Sequence, residues 1–161
     1  MSRWRTLHGI PVGLLSPDKA ETAWSRVDTA LEIISRFDPR RLGRLRSDVG
    51  RIFVGPMKHP LFSPPTRVCF LDEGTVLEWA TGDIASSLVH EAVHARLRRK
   101  GLTAFGADFS EREEELCIDE QIAFAKRLPP DEFTAIDQAL LRLQELRRTY
   151  PPTQAWPRRN D

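Results

Sequence analysis

Apolar side chains recur at helical spacing near the start of the chain, where Ala20, Ala23, Trp24, Val27, Ala30, Leu31, Ile34 and Phe37 fall on one face. Ser16-Pro17-Asp18 supplies a start signal: a serine cap, a proline at the first helical position and an acid in the first turn. Asp38-Pro39 ends the stretch, because a proline disfavours the helical conformation of the residue before it. The period then shortens. Residues 51–54 read as a strand, and residues 55–66 as a loop to which Pro56, Pro60, Pro64 and Pro65 deny regular structure. Residues 67–71 and 75–79 predict two further strands joined by the turn Asp72-Glu73-Gly74.

The second half is helical. Asp83 is placed to cap a helix running to about residue 100, where Gly101 offers a left-handed stop. A helix over 110–128 follows, ended by Pro129-Pro130, and a last one spans 131–148 with Phe133, Ile136, Leu140 and Leu143 on one face. These elements predict an α+β domain over residues 16–149. It has a small antiparallel sheet of about three strands, packed with an N-terminal helix, the helix after Asp83, the next helix and a C-terminal helix. Residues 1–15 read as an N-terminal extension and 150–161 as a proline-rich tail.

Composition narrows the partners. A chain of 161 residues with 40% hydrophobic and 29% charged residues can bury one real core. A net charge of +1 gives no field to recruit nucleic acid or an anionic membrane. The local basic run over 40–46 has no interleaved aromatic residue and reads as a solvated helix-like face. Cys69 and Cys117 are too few for a disulfide framework, and each sits among apolar residues as a buried free thiol. Neither a signal-peptide core nor a run of ~18 apolar residues is present, so the expectation is a cytoplasmic chain without membrane or nucleic-acid contacts.

One motif changes the picture. Residues 88–95, Leu-Val-His-Glu-Ala-Val-His-Ala, place His90, Glu91 and His94 inside the helix after Asp83. Residues four apart lie one turn above each other, so two imidazoles can close on one zinc ion at ~2.0–2.1 Å. Glu91, rotated by about 100° from His90, stays out of the ligand set yet can serve as base toward a zinc-activated water. Chance would produce this pattern in less than about 1% of chains of this composition. Apart from Ser86, Ser87 and the motif itself, residues 84–95 are all apolar, so the helix is buried on most sides. Two histidines and a carboxylate there need partners, which a metal would supply.

A third ligand is expected from the next helix, which carries Glu111, Glu113, Glu114 and Glu115. On a helical wheel whose apolar arc is set by Cys117, Ile118, Phe124, Ala125 and Leu128, Glu114 falls near the centre. Glu113 lies at the edge and Glu115 well outside. Glu114 is therefore the favoured ligand, with Gln121 on the same arc as a supporting partner, while Glu111 and Glu113 read as solvated acids.

His90-Glu91-x-x-His94, followed by a glutamate on a second helix, resembles the gluzincin group of zinc metallopeptidases, and the small size resembles the single-domain minigluzincins. The resemblance spans roughly residues 51–128. It implies zinc held by the two histidines and a glutamate, Glu91 as general base, and a peptide or protein substrate lying extended along an edge strand above the motif helix. The ligand helix of that group reads Glu-x-x-x-Asp, a spacing that selects Glu115, supported by Asp119, as the alternative ligand. The group also supplies a His or Tyr toward the oxyanion; His59 and Tyr150 are candidates that also read as surface residues, and His8 has no assignable role. Two rival functions keep the same residues: an inactive or latent metal-binding module acting in protein interaction or regulation, and zinc hydrolysis of a non-peptide amide. Either end of the chain, with Trp4 and the apolar run 10–15 or with Trp156, could fold over the cleft and hold the site latent.

Overall fold

The computed structural model of the chain describes residues 3–58, 60–102 and 107–129. The expected C-terminal helix, the tail with Trp156, and the oxyanion candidates His59 and Tyr150 lie outside these residues. Five strands are described: β1 (Trp4–Leu7), β2 (Ile10–Leu14), β3 (Arg51–Gly55), β4 (Leu61–Ser63) and β5 (Val68–Asp72). With them come the helices α1 (Ala20–Phe37), α2 (Pro39–Asp48), α3 (Glu73–Glu78), α4 (Thr81–Arg99) and α5 (Ala107–Ala125). A short 3-10 turn, Pro17–Lys19, leads into α1. The class is α+β, as expected, but the sheet is larger than three strands and mixed. Its order is β1-β2-β3-β5-β4, with β2, β3 and β5 parallel and β1 and β4 antiparallel at the two edges.

This sheet overturns three expectations. Residues 4–14 belong to the sheet and not to an extension: β1 and β2 form a hairpin across His8 and Gly9, whose φ angles of 47° and 78° suit a tight two-residue turn. Trp4 is used there, its ring lying so close above Gly13 that an added Cβ would stand 2.7 Å away. Its ring is thus engaged on the sheet, against Gly13 and Phe53. Within the proline-rich loop, Leu61–Ser63 is a strand after all, because β5 supplies the partner that a sequence does not display. Finally, residues 75–79 are no strand. The Asp72 carboxylate accepts a hydrogen bond of 2.8 Å from the Thr75 amide and caps α3, so a cluster that resembles a hairpin turn starts a helix.

Pairing register puts the core on one face of the sheet. Val12, Ile52 and Cys69 form one row across the parallel strands, and Leu14, Val54 and Leu71 the next. All six are buried against helices, while Trp4, Phe53 and Phe70 make an aromatic row on the other face. Phe62 of β4 pairs with Cys69 and so extends the inner row toward the edge. At the centre lies α4, which packs against α1, α2, α5 and β4. Its buried residues run from Gly82 through Ala92 to Ala95 and surround most of its circumference. Ala80 is the observed N-cap, with Asp83 in the first turn, and Gly101 with φ 64° follows the C-terminus in the expected left-handed conformation.

Ion pairs tie α5 and the residues after it to α2 and its cap. Arg41 of α2 bridges Asp38 and Glu120, at 2.6 Å from the latter, and Arg127 reaches Asp38 at 3.1 Å. The basic run is thus helical, as expected, but Arg41 is turned inward as a staple. No helix among the described residues is long and apolar enough to cross a membrane.

Candidate metal centre

The contacts between α4 and α5 are rungs of an antiparallel pair. Arg98 and His94 meet Glu113, and one turn back His90 meets Gln121. Helical spacing makes both stripes: His90, His94 and Arg98 recur every four residues on α4, as do Glu113, Cys117 and Gln121 on α5. Glu114 stands beside the second stripe.

Outer hydrogen bonds orient both imidazoles. His90 Nδ1 lies 3.1 Å from Gln121 Oε1, and His94 Nδ1 lies 2.8 Å from Glu113 Oε1. Both partners are oxygen acceptors, so each Nδ1 carries the hydrogen and each Nε2 of a neutral ring is left with a lone pair. Those two Nε2 atoms face each other at 3.2 Å. Facing lone pairs repel unless a cation lies between them. The Glu114 carboxylate adds negative charge at the same point, with Oε2 3.4 Å from His90 Nε2 and Oε1 3.2 Å from His94 Nε2. Four ligands around a metal at ~2.0–2.1 Å stand about 3.3 Å apart, so all three separations fit a shared ion. Glu113 also faces Arg98 at 3.5 Å, which leaves its charge compensated while it orients His94.

Electrostatics agree with this cation preference. Burial alone would lower the His94 pKa, but hydrogen bonds with Cys117, Glu114 and Glu113 raise it well above the imidazole range. Burial alone would raise Glu114, yet hydrogen bonds and charge from His90 and His94 hold it well below the usual carboxylate range. Without metal, a proton takes the cation's place. The signs give an expected pH dependence for the chain freed of metal. The raised His94 stabilises the fold fully below pH 6.5 and loses that contribution as pH climbs toward about 11. The lowered Glu114 stabilises it above pH 4.5 and loses that contribution as pH falls below. Urea unfolding of the metal-free native chain and His94→Ala should therefore differ most between pH 4.5 and 6.5. A pH-independent difference would show that the ion pair adds nothing to stability.

Glu91 of α4 is buried. Its charge is felt by Cys69 of β5, whose pKa burial and Glu91 both raise, and by Cys117 of α5. This carboxylate thus lies beside the donor cluster, between the inner face of the sheet and α5.

The remaining sequence candidates divide clearly. Glu115 turns away and pairs with Arg112 at 2.8 Å. Asp119 is exposed, so it supports neither histidine; Gln121 and Glu113 do that. Glu113 corrects the expectation of a solvated acid, being only 5% exposed. His8 faces Asp28 and Glu32 of α1 at 3.5 and 3.6 Å. Cys117 is buried and free, as expected, but its sulfur belongs to the cluster: one nitrogen of each histidine and Cys117 Sγ lie within 4.8 Å of one another. His90, His94 and Cys117 form a group that could hold a metal ion. Only the helical spacing of Cys117 from Glu113 and Gln121 could have signalled this.

The two carboxylates can be told apart by competition with a chelator. Glu114→Ala is expected to weaken metal binding by well over about tenfold, and Glu115→Ala to leave it nearly unchanged. The reverse order would move the ligand to the outer face of α5. Comparison of the chain with protein-family models, curated proteins and solved structures gives no match.

Proposed function

We propose that this chain is a zinc-dependent metallopeptidase in which His90, His94 and Glu114 hold the ion and Glu91 is the general base. The observation that carries the proposal is the pair of histidine Nε2 atoms facing each other at 3.2 Å with both Nδ1 atoms already engaged. Such an arrangement suits a shared cation, a role that a bound metal would fill and that a proton on His94 takes in its absence. Two imidazoles and a carboxylate are a donor set that favours zinc among the available divalent ions.

Bound zinc would act as a Lewis acid and lower the pKa of water to around 7. The chain's own residues do the rest. Glu113 and Gln121 keep the imidazole rings in the tautomer that points Nε2 inward. Glu91, buried next to His90 in the chain, accepts the proton of the attacking water. A peptide in extended conformation would lie along β4, the antiparallel edge strand that packs beside α4.

Hydrolysis of denatured protein or a peptide library by the purified full chain, loaded with one equivalent of zinc, tests the reading. Turnover that stops on chelation and returns with zinc is expected; a zinc-loaded chain without turnover on any peptide would overturn it. The rival, a metal-holding module that cleaves nothing, draws its support from Cys117, a fourth donor where a hydrolase needs an open position.

A further inference from the structure

We infer that the Cys117 thiolate is a protein ligand to the metal, competing with the hydrolytic water for the fourth coordination position and so slowing turnover of the native chain without abolishing it. The inference rests on the metal reading proposed for this site and concerns the same ion. Its basis is position. Cys117 comes one turn after Glu113 and one turn before Gln121, the two residues that fix the histidine rings, so its side chain is directed between the rings they orient. Cys117 is fully buried. Its sulfur lies within 4.8 Å of a nitrogen of each histidine, and a tetrahedral zinc centre needs about 3.6 Å between sulfur and nitrogen, a difference within the play of a side-chain torsion.

Chemistry separates this thiol from the other one. Cys69 lies in the row Val12, Ile52, Cys69 on the inner face of the sheet, where packing accounts for it. Cys117 instead lies with its sulfur within 4.8 Å of a nitrogen of each histidine, in a donor cluster whose metal would prefer a soft thiolate to water. A centre with His90, His94, Glu114 and Cys117 has four protein donors, the closed arrangement of structural zinc sites. With Cys117 displaced it has three donors and an opening, the arrangement of catalytic ones. One side chain on α5 therefore decides between the two behaviours.

Cobalt(II) is the probe, because a thiolate ligand gives it an intense near-ultraviolet charge-transfer band that nitrogen and oxygen donors do not. The full-length native chain with one equivalent of cobalt(II) should show this band. Cys117→Ser should bind cobalt but lose the band, and Cys69→Ser should keep it. The native spectrum needs no variant, so a poorly folding substitution does not blunt the test. Cobalt bound by the native chain, as measured by equilibrium dialysis, without the band would overturn the Cys117 assignment and leave the metal centre standing. No cobalt or zinc uptake by the native chain would overturn the centre itself. With zinc, Cys117→Ser should hydrolyse peptides faster than the native chain, and equal rates would overturn the competition between Cys117 and water.

Discussion

His90→Ala and His94→Ala should each strip the chain of nearly all its metal, where the native chain should carry about one zinc per molecule. Each substitution deletes one of the two Nε2 donors that face each other at 3.2 Å, and what remains is one imidazole with the Glu114 carboxylate and the Cys117 sulfur. Losing a partner that merely orients a ligand costs 10–100-fold in affinity, so deleting a ligand should cost more than about a hundredfold. Elemental analysis after dialysis against a weak chelator reads the result. The helices should survive, because α4 is held by Ile84, Leu88, Val89 and Ala92 more than by its polar residues. Full metal retention in both variants would sink the site.

Several parts of this centre are legible in the amino-acid sequence alone, and the reason is periodicity. The wheel that places Glu114 on the inner arc of α5 and Glu115 outside it depends only on spacing within a helix. In the folded chain Glu114 faces both histidines and Glu115 faces Arg112. The same wheel puts Gln121 on the arc that meets His90. The limits of a wheel are equally physical. It ranks positions by apolarity, so Glu113, buried by pairing with His94 and Arg98, reads as a solvated acid. It scores cysteine as a small apolar residue, so Cys117 reads as core and not as a donor.

The sheet is harder to read than the helices. β2 contains Pro11, a signal against strand, but the antiparallel neighbour at that position is Thr6 of an edge strand. Sequence spacing does not show which strands become neighbours, and β3 and β5 are paired although β4 lies between them in the chain. Three residues between prolines make β4 only because the edge of β5 is open to receive them.

Glu91→Gln should keep both fold and zinc while lowering peptide hydrolysis by ~100-fold or more, the usual contribution of a general base. The substitution preserves size and shape and exchanges one acceptor oxygen for an amide donor, so a space-filling role for this buried side chain would leave activity near its native level. Position favours a chemical role. Glu91 follows His90 directly, and the rotation of about 100° takes its carboxylate off the stripe shared by the two histidines. It is not lost to solvent either, since its charge acts on both Cys69 and Cys117, on the sheet side and the α5 side of the cluster. A carboxylate there would serve a water held by the centre and would not complete the ligand set. Zinc content and hydrolysis rate measured on the same preparation separate the cases. Metal lost together with activity would make Glu91 a ligand, and metal kept with activity unchanged would place the base elsewhere in the chain.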